Sequence, residues 1–219
     1  MEDISKKSDD TKAKLIEAAG EVFAQRGFRS ATVREICSRA GANVAAVNYH
    51  FRDKEGLYVA VLEHSLQSAR RKYPPDLGLG DGATPEEKLR AFIHSLLLRI
   101  LGEGVPAWHG KLMAREISDP TGALGRVVQS SIRPLHVYLV SILRELLQEE
   151  RAGEGEESDE IFLCAMSIIG QCLQHFTGKQ IIAALRPEGF NPADIATIGD
   201  HITRFSLGGI RALRAAASL

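Results

Sequence analysis

Ala45, Ala46, Asn48, Tyr49, His50 and Lys54 place two small residues ahead of an amide, a phenol, an imidazole and an ammonium. On one short helix and its exit, that set suits contact with nucleic acid. Small side chains let a backbone come close, an amide can read base edges in a major groove, and the other groups reach phosphates. Thr32, Arg34, Asn43 and Val44 precede them and complete the expected DNA-contacting set. A hairpin in an ordinary helical bundle also has caps and turns, but it does not call for small and polar residues at its exposed positions. Cys164, Cys172 and His175 raise a different chemistry, metal binding or thiol sensing, because Cys172 and His175 share a helix face at i, i+3. A divalent site needs three or four converging ligands, and the others, His136 or His94, would come from separate helices. Cysteine as a small apolar filler is the better reading. There is no phosphate-binding glycine loop, G-x-S-x-G elbow or H-E-x-x-H helix. No catalytic residue, metal or cofactor is expected.

The elements that must hold the first set are legible around it. Thr32 and Glu35 stand at capping-box spacing. Val33, Ile36, Cys37 and Ala40 follow as one apolar face of a short helix. Gly41-Ala42-Asn43 supplies a tight turn, with Gly41 suited to a left-handed helix end and Asn43 to the next N-cap. The second helix should turn Val44, Val47 and Phe51 inward. An earlier helix from about Lys12 to Arg26 presents Leu15, Ala18, Ala19, Val22 and Phe23 as support; Gly27 ends it and Phe28 packs back. Two short helices across a Gly-containing turn are the layout of a helix-turn-helix.

Three stretches then carry a resemblance: K-L-I-E-A-A-x-x-V-F-A-x-R-G-F from Lys14, T-V-R-E-I-C-S-R-A-G from Thr32, and V-N-Y-H-F-x-x-K-E-G-L from Val47. Together they resemble the N-terminal domain of TetR-family transcriptional regulators over the first third of the chain. One departure is that many relatives carry Tyr where Asn48 stands, so base preference does not transfer. A second stretch, W-H-G-K-L-M-A-R-E-I-S-D-P-T-G-A-L from Trp108 followed by I-R-P-L from Ile132, is similar to one branch of the family. That branch shares an M-A-R-E-x-x-x-P motif and includes regulators linked to transport and drug-sensitivity genes.

Length and composition allow this organisation. The 219 residues, 44% of them hydrophobic, can bury a sizeable core. No apolar run reaches the roughly 18 residues of a membrane span, and the charged first ten residues lack the apolar core of a secretory signal. Three cysteines leave one unpaired and fit a reducing cytoplasm. Residues 1–72 carry 13 basic and 10 acidic side chains and the remainder 14 and 18, a net of +3 against −4. The positive end suits phosphates, and the acidic remainder repels DNA.

The sequence predicts an all-α protein: a flexible tail (1–10), a three-helix DNA-binding head with its helix-turn-helix (11–56), and a helical ligand-binding and dimerisation body (57–219). Body helices are expected from Asp53 to about Arg71, Pro85 to Leu101, Lys111 to Ser118, Gly122 to Glu150 with a kink at Pro134, Asp159 to Leu185, and Pro192 to Ala217. Between them, Gly102 to Gly110 is a break and Arg151 to Ser158 a surface loop. The last two helices are apolar on more than one face, through Ile161, Phe162, Ala165, Ile168, Ile169, Cys172 and Phe176, then Ile195, Ile198, Ile202, Phe205, Leu207, Ile210 and Leu213. The resemblance implies that they join two subunits. It also implies a small-molecule pocket, with Trp108, His109, Met113, Arg115, Tyr138, Gln171 and His175 as expected lining beside Glu116. The reading is a ligand-responsive repressor acting as a homodimer on a pseudo-palindromic operator. The alternative is a helical small-molecule sensor without specific DNA binding.

Overall fold

The computed structural model describes residues 2–102, 108–148, 157–185, 191 and 194–217, and among them every regular element is helical. The chain divides into two compact units: Met1–Ala69 with Gly104–Ile132, and Arg70–Glu103 with Arg133–Leu219. The sequence divides the chain by role near residue 56, whereas contacts divide it after Ala69 and return residues 104–132 to the first unit.

In the first unit, α1 (Glu2–Ser30) bends at Gly27, which has φ 76°. It begins earlier than Lys12, and the first ten residues, expected as a tail, continue the helix from Glu2 onward. No Gly or Pro interrupts the chain before Gly20, and Lys14 pairs with Asp10 one turn back at 2.7 Å. The helices α2 (Val33–Ala40) and α3 (Val44–Phe51) pack on α1, and the first half of α4 (Lys54–Lys72) closes the core. Leu15, Ala19, Val22 and Phe23 from α1 meet Ile36, Val47, Leu57 and Leu62 there, all fully buried. Phe23, Phe28 and Tyr58 form an aromatic cluster, with Phe23 and Tyr58 edge to face at 4.8 Å. The same core takes in Trp108, Leu112 of α6 (His109–Ser118) and Val127 of α7 (Leu124–Val127).

In the second unit, α5 (Pro85–Leu101) opens with a complete capping box. Glu87 N donates to Thr84 Oγ1 at 3.3 Å and Thr84 N donates to Glu87 Oε2 at 2.8 Å. It packs with α8 (Arg133–Leu147), α9 (Asp159–Thr177) and α11 (Ile195–Ala217) around Leu89, Ile93, Leu97, Leu139, Leu143, Ile161 and Ala165.

Two expected helices are broken. The stretch from Gly122 becomes α7, a π-helical turn over Val128–Ile132, and then α8. Pro134 has no N–H to donate and its ring crowds the preceding turn, so a widened turn just ahead of it lets the chain continue as helix. The stretch expected to run from Asp159 to Leu185 ends at Thr177. After Gly178 it turns by 76° into α10 (Lys179–Leu185). Residues 151–156 of the expected loop lie outside the described residues, and Ser158 caps α9 through a hydrogen bond from Ile161 N at 3.3 Å.

Candidate nucleic-acid interface

The turn between α2 and α3 is built from caps. Thr32 Oγ1 accepts from Glu35 N at 3.2 Å. The reciprocal half of the expected box is not made: the Glu35 carboxylate pairs instead with Arg26 at 3.0 Å and Arg39 at 3.1 Å. Two guanidiniums outbid one amide for a carboxylate, because charge-assisted contacts are the stronger ones. Gly41 takes φ 61°, a left-handed cap that a side chain would strain. Asn43 Oδ1 then accepts from Ala45 N at 3.0 Å and starts α3.

Val47 and Phe51 anchor α3 in the core, which turns the rest of the helix outward. Val44 was expected to face inward with them, yet it is 41% exposed. At the first helical position it lies beyond the edge of the pair that packs. Ala45, Asn48 and Tyr49 are exposed, Ala46 and His50 half-buried, and Tyr49 at 81% stands furthest out, with its ring edge to face with His50 at 4.9 Å. Thr32, Arg34 and Asn43 are exposed around them. The outward side of α3 is thus small at its start, with an amide and a phenol following, the shape and chemistry a major groove admits.

Lys54 is placed differently from the other nine. Its ammonium donates to the carbonyls of Ala31 at 2.9 Å and Arg29 at 3.3 Å and lies 4.7 Å from the centre of the Phe28 ring. It ties the end of α1 to the start of α4.

The expected pocket residues fall in both units. Trp108, His109, Met113 and Arg115 belong to the first unit, and Tyr138, Gln171 and His175 to the second. Trp108 is 5% exposed, lies flat against Gly20 of α1 and donates from Nε1 to Glu17 Oε1 at 2.9 Å. Arg115 donates to the carbonyls of Ala24 at 3.2 Å and Gln25 at 3.1 Å, just before the bend of α1 at Gly27. Met113 packs on the same core. His109 is buried against the Ser65 hydroxyl through Nδ1, and burial pushes its pKa down to about 4. Glu116, 1% exposed, accepts from the Tyr58 hydroxyl at 2.8 Å and from Thr121 N at 2.9 Å. Burial and then the Glu116 carboxylate push the Tyr58 hydroxyl pKa up, so Tyr58 stays the donor. Within the first unit α6 therefore packs on α1, the helix that supports the reading pair. Its sequence signal was the alternation of Trp108, Leu112 and Glu116 at helical spacing, one buried face that spacing alone could not assign to α1.

In the second unit, Tyr138 borders a cleft with Arg70 and Arg71, and Gln171 borders an outward groove between α9 and α11. Cys164 is half-buried on that groove. Cys172 is fully buried, and burial pushes its thiol pKa up to about 12. His136 pairs with Glu157 at 2.9 Å and His94 with Asp200 at 3.0 Å, so both are engaged away from Cys172. Among the described residues no three His, Cys, Asp or Glu side chains converge as metal ligands. Among those residues, too, no single helix is long and apolar enough to cross a membrane.

The comparisons agree with this geometry. Residues 15–61 match the tetR family of bacterial regulatory proteins, and residues 85–210 match the C-terminal domain of the HTH-type transcriptional dual regulator CecR. The CecR protein of Shigella flexneri is 30% identical over 185 residues, 80% of each chain. A solved transcriptional-regulator structure from Pseudomonas aeruginosa PAO1 is similar in fold, with a TM-score of 0.66 at 24% identity over 92% of each chain. The transcriptional regulator FadR of Bacillus subtilis, solved with stearoyl-CoA, is also similar in fold, with a TM-score of 0.62 at 18% identity over 90% of this chain and 98% of that one. With a capped helix-turn-helix at one end and a CecR-type domain over the rest, the chain belongs to the TetR family of bacterial regulatory proteins and is a DNA-binding transcriptional regulator.

Proposed function

We propose that the protein works in the cytoplasm as a ligand-responsive homodimer that represses from a pseudo-palindromic operator. Residues 11–56 make the DNA contacts, and residues within 57–219 bind the effector and the second subunit. The observation that carries the reading is the outward side of α3. Ala45, Asn48 and Tyr49 are exposed on a helix whose other side is locked by Val47 and Phe51. Val44, Ala45, Ala46 and Asn48 are assigned to base edges, and Thr32, Arg34, Asn43, Tyr49 and His50 to phosphates.

One such helix grips little DNA, and two-fold dimers read paired half-sites. A surface for the second copy is supported by Leu163, Met166, Phe205 and Leu213, large apolar side chains left 37 to 66% exposed on α9 and α11. Effector control follows from differential affinity for two conformations, and α4 runs unbroken across the point between Ala69 and Arg70 where the units divide.

Selection of bound fragments from random DNA, followed by footprinting, tests this reading. The expected product is an inverted repeat with half-sites spaced about one helical turn, roughly 34 Å, and an affinity that falls steeply with salt. Enrichment of no sequence, with binding insensitive to salt, would leave the sensor without DNA binding as the better account.

A further inference from the structure

Arg99 on α5 is 6% exposed, and its Nη2 has no hydrogen-bond partner. Its Nε reaches only the Ser95 carbonyl of its own helix at 3.3 Å. A buried guanidinium normally sits against a carboxylate, since an unpaired charge in a protein interior is costly. Among the described residues no acid pairs with it. The neighbouring charge is of the same sign, Arg70 near the end of α4, and the Cys172 thiol beside it is neutral at physiological pH. Burial first, and then Arg70, bring the Arg99 pKa down to about 10, which leaves the group charged.

Arg70 also borders a cleft of about 340 Å³ in the same unit, with Arg71, Pro74, Pro134, Leu135 and Tyr138 around it. The cleft itself is lined by Arg70 and Arg71 beside prolines, a leucine and an aromatic ring, and Arg99, which does not line it, is near enough to Arg70 for the two charges to repel. Guanidinium groups recognise oxyanions in a planar, often two-point fashion, and the remaining walls offer apolar contact.

We propose that the second unit takes an organic oxyanion as its effector, with the anionic head held by Arg99 and Arg70 and its apolar part in the cleft lined by Pro74, Pro134, Leu135 and Tyr138. The proposal rests on the reading of the protein as ligand-responsive and names the chemical class of that ligand. Carboxylate and phosphate heads share the chemistry. A guanidinium left without a counter-charge among the described residues suits a site preorganised for an anion, and the ligand supplies the missing charge.

The test measures binding of a matched set to the full-length protein at constant ionic strength: decanoate, decyl phosphate, inorganic sulfate, decanol and decylamine. Titration calorimetry and thermal shift are the readouts. At least one oxyanion binds and raises Tm, and preference between decanoate and decyl phosphate tells which head group the site favours. Decanol and decylamine bind at least about tenfold more weakly than the better oxyanion, the scale of a lost hydrogen bond to charge. Arg99→Met removes the charge at similar volume and weakens oxyanion binding by about tenfold or more. Arg99→Gln, more polar, is a second variant for the case in which the first does not fold.

Failure of every oxyanion to bind, equal binding of decanol, or oxyanion binding that survives both substitutions would overturn the proposal. Operator affinity is measured in parallel. Intact operator binding without oxyanion binding sinks this inference and leaves the DNA-binding reading standing. Arg99-dependent oxyanion binding that leaves operator affinity unchanged keeps the site and removes its role as effector site.

Discussion

Trp108 Nε1 donates a hydrogen bond to Glu17 Oε1 at 2.9 Å while its indole lies against Gly20 one turn further along α1. The residue just ahead of α6 is thereby fixed to the helix that supports the DNA-reading pair. Arg115, two turns on, holds α1 again through the Ala24 and Gln25 carbonyls, just before its bend at Gly27. Trp108 and Arg115 thus tie α6 to α1 at two places about two turns apart.

Gly20→Ala tests the closeness of that contact. A Cβ at position 20 would overlap the indole ring, so either Trp108 swings out or α1 shifts. The expected cost is about 1–3 kcal/mol, as for an overpacked core. A red-shifted emission from the single tryptophan should accompany a lower denaturation midpoint. A variant as stable as the parent, with unchanged emission, would show that the ring is not packed there.

Lys54 and Asn48 separate positioning from reading. Loss of the Lys54 bonds to Arg29 and Ala31 should lower stability by about 1 kcal/mol. Lys54→Ala should also weaken binding to all DNA sequences alike. Asn48→Ala touches no internal bond of the head, so its melting temperature should match the parent while relative affinities among single-base operator variants change. Melting curves and a binding series over those variants decide the matter. Equal effects of the two substitutions on both readouts would sink the division of roles.

Phe205 is 66% exposed on α11, so a charge there leaves the subunit core intact. If α9 and α11 join two copies, Phe205→Glu should convert a species of twice the chain mass into one of 23.9 kDa in sedimentation, with helical content retained. Operator affinity should fall with it. A parent protein that sediments as a monomer while binding the inverted repeat would remove the interface.

His109 predicts a pH dependence. Its folded pKa is about 4 against an ordinary 6.5, because burial disfavours the charged ring. The unfolded chain therefore takes up a proton on falling through 6.5 while the native state does not. Stability present above pH 6.5 is lost as pH falls towards 4, by about 3 kcal/mol over the full window from this group. Denaturant midpoints at pH 7.5 and 5 measure it, and His109→Gln should flatten that part of the profile. A slope unaltered by the substitution would assign the acid sensitivity to other groups.

The helix-turn-helix was legible because its signals are local. Thr32, Gly41 and Asn43 act on amides within three residues of themselves, and Val47 and Phe51 need only their own spacing to mark a buried side. The breaks were less so. Pro134 announced a disturbance without giving its form as a π turn over Val128–Ile132, and Gly178 gave little warning of a 76° bend. Glu35 shows the same limit at close range. Its spacing to Thr32 suits a capping box, yet Arg26 from α1 competes for the carboxylate, and only the packing of α1 against α2 brings that guanidinium within reach.

By itself the sequence determined helices, caps, the family and the chemistry on α3, since each depends on residues a few positions apart. Tertiary structure alone decided where the apolar faces went. Trp108, Leu112 and Glu116 mark one side of α6 whether it covers a pocket or braces α1, because periodicity records that a face is buried and not what buries it. Arg99 is the sharper case: in sequence it is one arginine among many on an amphipathic helix. Its meaning comes from α4, α5 and α9 placing it beside Arg70 and a neutral thiol with no acid opposite among the described residues, an arrangement of groups far apart in the chain.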